Sequence, residues 1–546
     1  MAIEYARDYF AKNPHALGLS LGVNDGGGHC ECEKCLQLRT QFNNQYIAFY
    51  NAVAREFQKE FPGKLVSFIT YGKAGSVPKN VNLEPNLYIE MFHGYTNNFK
   101  MIKEWKAVGA KNIGLYHWII SGGFVIPRYF PRVLGEMWKH VYKEYGMLGG
   151  WMESYIQVWL YDGPLQYVVN ELAWNINADI EWLLNDYFNN FYGSAGQLMK
   201  DFFDRLEEVH KRQADPLVFH HGGWPVSPVQ LENFTRKDLD FLDEKLSKAI
   251  SIAREKYELD VLARLELFNR IWLLSRSFIE SYVSLKEMQT IEFVTDYGQI
   301  ERFIERVNKG FKSIKSIREY KMSEDEAKSI FVNTTLEKYK NKPSLIADFP
   351  LEQESFRVFN IITKYMEMSH PQDIEKFWLK IASETDVPQI KKLALSQIFV
   401  RKSPESKENL IRNPSFEPEV EYGEDLFAKD SNEKFEWGVS NRKIEGWTTN
   451  TPPGTMAKFY WDRSESHSGK YSLSIRTNES QGCFQTRIRV KPGCSYLLEF
   501  WVKQSPPDKG GNVLIQGGMP QISVSYPKSE KSQWHRVNVF LQFLQI

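Results

Sequence analysis

The chain has no excess of charge of either sign: Lys and Arg total 68, and Asp and Glu total 68. That balance argues against a nucleic-acid partner, and no basic amphipathic run points to a membrane surface. No stretch approaches the ~18 consecutive apolar residues a spanning helix needs, so no membrane span is expected. Cysteine is scarce, five in 546 residues, which is too few for a disulfide scaffold and does not fix a redox compartment. The first residues, MAIEYARDYFAKNP, read as an amphipathic helix and not as a basic-then-apolar leader, so no signal peptide is expected in this stretch. Aromatic residues, by contrast, are plentiful, with 15 Trp, 27 Tyr and 36 Phe. Large cores use such rings, and sugar-binding surfaces use them as apolar platforms with a polar handle. The length allows two to four domains and at least one sizeable core; the oligomeric state is not legible.

Residues 17–35, LGLSLGVNDGGGHCECEKC, open on an alternating strand in which Leu17, Leu19, Leu21 and Val23 share one face. The strand runs into Asn24, Asp25 and three glycines, a sequence that makes either a surface turn or a close approach to a ligand. A strand–helix rhythm follows. Residues 36–60 read as one helix, 65–71 (LVSFITY) as a strand and 87–93 (LYIEMFH) as another. Then come a helix at 99–108, a strand at 113–118, a helix at 131–145 and a strand at 149–155 (GGWMESY). Five such units predict a parallel sheet with right-handed crossovers, best read as a (β/α) barrel lacking its first units at the N-terminus; an open doubly wound sheet is the alternative.

Residues 164–405 read as almost wholly helical, their aromatic and leucine stripes as core. After about 406 short strands with turn residues predict an antiparallel β-sandwich (jelly roll). Within 495–503, Tyr496, Leu498, Phe500 and Val502 share one face, which puts Trp501 on the other. The expected domains are therefore 1–195, 196–405 and 406–546.

Cys30, Cys32 and Cys35 form C-x-C-x-x-C beside His29. Three thiols this close suit zinc with His29 or a distant residue as a fourth ligand, a local disulfide with one free thiol, or reduced structural cysteines, and the sequence leaves all three open. Around the C-terminal strand ends stand Asn24, Tyr71, His93, Tyr116, His117, Trp118, Tyr155 and Trp159, a set that favours a ligand pocket.

Two segments carry resemblances. VNDGGGHCECEKC, with WLYDGP and DIEWLLNDYFNNFYGSAGQLMKDFFDRLE, resembles a glycosidase-like family described as domain of unknown function 4838, related to α-glucuronidase and hexosaminidase barrels; the likeness covers about residues 1–210. NLIRNPSFE, SHSGKYSLSI and VKPGCSYLLEFWVK look like the carbohydrate-binding modules (families 4 and 9) appended to xylanases and glucanases. Those modules close with an Asp-rich strand that is not found here, so the sandwich is expected to be cut short.

The resemblances imply an exported protein, extracellular or periplasmic, that acts on a polysaccharide or oligosaccharide. Glycoside hydrolysis needs two carboxyl groups flanking the scissile bond. Asp25, Glu90 and Glu153 stand at the right strand ends. The expectation is Asp25 as general acid, with Glu153 or Glu90 as the second carboxylate. Tyr88, Glu90 and Phe92 should face the lumen together, and Glu153 should share a face with Trp151 and Tyr155. No cofactor is required. Glu417 matches a position that helps hold structural calcium in the resembling modules. Trp461 and Trp501 are candidates for a sugar platform, although core roles are equally open for such rings. The alternative functions are a glycan-binding protein with a non-catalytic barrel pocket and a metal-dependent enzyme that uses the cysteine cluster.

Overall fold

The computed structural model describes residues 1–23, 29–92, 96–120, 123–155, 158–212, 228–321, 323, 345–402, 409–411, 414–416, 434–436, 446–450, 457–477, 483–489, 495–503, 511–515, 522–526 and 534–542. The chain divides into two compact units, residues 1–284 with 312–347, and residues 285–311 with 348–546.

The first unit opens with α1 (Ala2–Lys12), β1 (Gly18–Ser20), α2 (Glu33–Phe42), α3 (Ile47–Glu60), β2 (Leu65–Ile69) and β3 (Leu87–Phe92). It continues with α4 (Thr96–Ala107), β4 (Asn112–Ile120), α5 (Pro131–Tyr145) and β5 (Met147–Tyr155). The five strands are all parallel and lie in the order β1-β2-β3-β4-β5. A doubly wound sheet reverses its strand order at a switch point. Here the order never reverses, so every crossover winds the same way and the sheet is a curled half-barrel in a mixed α/β unit.

Strand alternation decides what each face holds. Leu87, Ile89 and Met91 of β3 and Ile113, Leu115 and Ile119 of β4 are buried toward the helices. Phe68 of β2 stacks on Tyr50 of α3, ring centroids 4.1 Å apart, and meets Trp105 of α4 at 5.9 Å. Each such side chain contributes about 1.5–3 kcal/mol by leaving water. This side of the sheet is the hydrocarbon core.

Two sequence expectations are corrected. The first strand is three residues long: Leu19 is buried but Leu17 is exposed. The close approach of β2 explains Gly18, where a Cβ would lie 2.5 Å from the Leu65 carbonyl oxygen. The single helix expected over 36–60 is two helices. Asn43 sits at φ 58°, in the left-handed region that Asn tolerates, and ends α2. Asn44 then turns its amide to the carbonyls of Ala74 and Ser76 and accepts from the Tyr46 N–H. Side-chain hydrogen bonds of this kind compete with helix continuation.

Beyond the sheet come α6 (Trp159–Trp174), α7 (Ile180–Tyr192), α8 (Gly196–Lys211), α9 (Val229–Glu232) and α10 (Arg236–Glu255), then α11 (Leu259–Gln289) and α12 (Tyr297–Glu319). Arg132 at the start of α5 ties to Glu181 of α7 and to Asp204 and Glu207 of α8. The hydrogen bond from Arg132, helped by Lys200 and against the opposing effect of burial, holds the Glu181 carboxyl at about 2.

In the second unit, α13 (Asp348–Ser369), α14 (Ile374–Glu384) and α15 (Pro388–Lys402) bury their aromatic stripes: Phe359 stacks on Trp378, whose indole N–H donates to Thr363. The strands that follow pair antiparallel. They are β6 (Lys434–Glu436), β7 (Thr448–Asn450), β8 (Ala457–Asp462), β9 (Ser472–Thr477), β10 (Cys483–Gln485), β11 (Ser495–Lys503), β12 (Gly511–Ile515), β13 (Ile522–Tyr526) and β14 (Trp534–Gln542). Among the described residues they form sheets of two or three strands: β6-β8-β9, β7-β10, β11-β14 and β12-β13.

Candidate active site

The face of the half-barrel turned away from the helices carries polar and aromatic side chains. Paired residues of parallel strands point to the same side, so the register reads the site out in rows. Glu90 of β3 pairs with Gly114 of β4, Phe92 with Tyr116, Tyr116 with Trp151 of β5, and Trp118 with Glu153. The β4–β5 register is not regular. Ile113 pairs with Met147 but Gly114 with Gly149, so Leu148 is an extra residue, and it is largely exposed. Without that bulge, Trp151 and Glu153 would pair with His117 and Ile119 and face the helices. A one-residue slip turns every side chain over. The bulge is what delivers Glu153 to the face that holds Glu90.

The rings make a contiguous patch. Tyr71, just after β2, meets Phe92 edge-on at 5.1 Å, and Phe92 meets Trp118 at 4.9 Å and Tyr116 at 5.2 Å. Tyr116 stacks on Trp151 with centroids 4.0 Å apart and planes 17° from parallel. Each carboxylate is held by a polar handle of this patch. The Trp118 indole N–H donates to the Tyr116 hydroxyl at 2.6 Å, and that hydroxyl donates to Glu153 Oε2 at 2.5 Å. The Trp151 indole N–H donates to Glu90 Oε2. Burial first, then the bond to Glu153, pushes the Tyr116 phenol well above its ordinary range, so it stays a donor. Tyr88, on the same face, is pushed up to about 12 by burial and by the charge of Glu90.

Gly114 is required by this arrangement, because a Cβ there would lie 2.0 Å from the Tyr88 hydroxyl. Gly114→Ala is expected to force Tyr88 aside and cost about 1–3 kcal/mol, read as a lower urea midpoint by circular dichroism.

The placements expected from sequence divide as follows. Glu90, with 7% of its surface exposed, lies with Tyr88 and Phe92 on the lumen face, and Glu153 lies with Trp151. Tyr71, Tyr116 and Trp118 join them, and Trp159 opens α6, partly exposed, after β5. His117 does not join them. It alternates to the helix side with Leu115 and Ile119 and is 2% exposed. Asn24, Asp25 and His93 lie outside the described residues, as does the side chain of Tyr155. Trp151 and Phe92 were not singled out as site residues, although alternation in GGWMESY and LYIEMFH places both beside the carboxylates.

The cysteines are brought together. The Sγ atoms of Cys30, Cys32 and Cys35 all lie within 4.8 Å of one another, and none of the three is in a disulfide. The Cys35 backbone N–H and the neighbouring thiols lower Cys32, whereas Cys30 and Cys32 push Cys35 up to about 11. His29 is not one of the group. Its Nδ1 faces the Tyr46 hydroxyl.

In the second unit Trp461 is core, which corrects its reading as a sugar platform. It is buried against Tyr471, and its N–H donates to the Phe416 carbonyl at 2.8 Å. Trp501 is 39% exposed and stacked on His467 at 3.7 Å, and His467 in turn meets Trp534 edge-on at 5.8 Å. Glu417 lies outside the described residues.

In the first unit, a cavity of about 20 Å³ lined by Arg128, Tyr129, His210 and Gln230 has room for one water. It is unsuited to a sugar and includes none of the residues of the aromatic face.

Residues 1–204, which include all five parallel strands, match the model of a family described as a domain of unknown function (DUF4838). No curated protein and no solved structure matches the chain.

Proposed function

We propose that the protein is glycoside hydrolase-like and acts on a polysaccharide or oligosaccharide, with Glu90 and Glu153 as the two carboxylates of acid/base catalysis. The observation that carries this reading is the pair itself. Two carboxylates from different strands stand on one sheet face, each hydrogen-bonded to one of the stacked Tyr116–Trp151 rings. A pyranose presents C–H groups to a ring and hydroxyls to flanking acceptors, and this patch offers both. Hydrolysis requires in addition that one carboxyl give a proton and the other act as base or nucleophile. The half-barrel belongs to a glycosidase-like barrel in this reading, and the C-terminal strands to a carbohydrate-binding sandwich with Trp501 as its platform. The setting is extracellular or periplasmic.

A second reading, glycan binding without chemistry, is favoured by one observation. Both carboxylates are held by ring donors, an arrangement that also suits acceptors for sugar hydroxyls.

The test measures binding and reducing-sugar release together on the full chain, across a glycan array and the matching soluble oligosaccharides. Release by the wild type and its loss in the Glu90→Gln/Glu153→Gln double variant, with binding kept, supports hydrolysis. Binding by the wild type without release supports the second reading. A wild type that neither binds nor cleaves any glycan sinks both.

A further inference from the structure

We propose that Cys30, Cys32 and Cys35 bind one zinc ion through their three sulfurs, leaving a fourth coordination position open to solvent. The proposal is independent of the glycosidase reading. Three thiolates around a tetrahedral zinc, with Zn–S near 2.3 Å, stand about 3.8 Å apart. The three sulfurs already lie within 4.8 Å of one another, so closing on an ion takes displacements of about 1 Å or less.

The frame that holds them is set by its neighbours. Cys32 is the N-cap of α2 and Cys35 lies in its first turn, so their separation is fixed by helix geometry. Cys30 adjoins His29, whose ring is held by the Tyr46 hydroxyl at the head of α3. The loop that carries the sulfurs is thus anchored at both ends.

The donor set identifies the class of ion. Three soft sulfurs, with no His, Asp or Glu in the group among the described residues, select a thiolate-preferring metal over magnesium or calcium. Structural zinc sites are closed by four protein ligands, whereas a site with three keeps an exchangeable position. Cys30 and Cys32 are exposed, and that position faces water or a small anionic ligand. Binding releases the thiol protons to solvent, so uptake strengthens as pH rises.

The test uses the full chain, reduced, given one equivalent of zinc(II), desalted and weighed by native mass spectrometry, with parallel alkylation mapping. One retained zinc per chain, with Cys30, Cys32 and Cys35 protected and Cys483 still alkylated, is expected. Cobalt(II) in place of zinc should give sulfur-to-metal absorption in the near ultraviolet. Both signals should vanish in Cys30→Ser/Cys32→Ser/Cys35→Ser with the circular dichroism spectrum unchanged. No retained zinc, retention with the three cysteines still reactive, or a disulfide among them that persists after reduction overturns the proposal. The mapping on the wild type decides the matter even if the triple variant does not fold.

Discussion

Under the proposed hydrolysis, Glu153→Gln is expected to lower glycan turnover by about 10²–10⁴-fold, the range that one positioned acid or base contributes. The amide is isosteric with the carboxyl and keeps an oxygen for the Tyr116 hydroxyl, so the Trp118–Tyr116 chain of hydrogen bonds survives. Loss of rate therefore reports loss of proton transfer or nucleophilicity and not collapse of the face. KM should change little, because the exposed ring of Trp151 is untouched. Glu90→Gln should give a loss of the same order, with Trp151 still donating to the amide oxygen. The two roles separate on substrates with good leaving groups, which need no protonation. The variant whose rate recovers on such a substrate has lost the acid, and the other has lost the base or nucleophile. Trp151→Ala, in contrast, should raise KM more than it lowers kcat. Full activity in both amide variants would refute the assignment.

The half-barrel was legible because its signals are local. Alternation over LYIEMFH is strict, and burying Leu87, Ile89 and Met91 forces Tyr88, Glu90 and Phe92 to the other side. Strand β11 and helix α5 have the bounds their patterns predict. The features that escaped depend on partners distant in sequence. Leu148 looks like any strand residue, and only the pairing with β4 makes it the extra one. His117 sits between Tyr116 and Trp118, so reading the strand end as a cluster swept it in, although alternation alone excludes it. Asn43 and Asn44 lie within a helical pattern, and what breaks the helix is the 74–76 backbone that Asn44 reaches. Trp461 and Trp501 are both open to a sugar-platform or a core role in the sequence, where alternation speaks only for Trp501. Pairing with β9 and the Phe416 carbonyl makes the first core, and the alternation of β11 leaves the second exposed.

The site also depends on a support that sequence patterns do not show. The carboxylates lie on β3 and β5, and their relative position is set by the sheet and by the helices behind it. Arg132 fastens α5, which leads into β5, to α7 and α8. Asp238 extends the same bracing to α10. Its carboxylate caps α10 through the Thr235 backbone and hydroxyl, receives both Arg212 nitrogens at 2.6 and 2.9 Å, and takes Arg205 at 3.2 Å.

Asp238→Asn should therefore have the largest effect on stability, about 3 kcal/mol, at the low end for breaking a buried ion pair. The low end applies because Arg212 is partly exposed and can recover water, while Asp238 is 1% exposed. Burial alone would push the Asp238 carboxyl up, but the Arg212 and Thr235 hydrogen bonds outweigh it and hold it well below the usual carboxylate range. A depressed folded-state pKa contributes stability that is present above the unfolded value near 4 and lost as pH falls toward the folded one. The wild type should thus lose stability between about pH 4 and 2, and Glu181, held at about 2, adds to that loss. Asp238→Asn removes the titrating group, so the gap between the two proteins should be widest at neutral pH and narrow steadily below pH 4. Urea midpoints at pH 7, 4 and 3 measure it. A gap that stays constant across that range would mean that packing, and not the charge, is what Asp238 contributes.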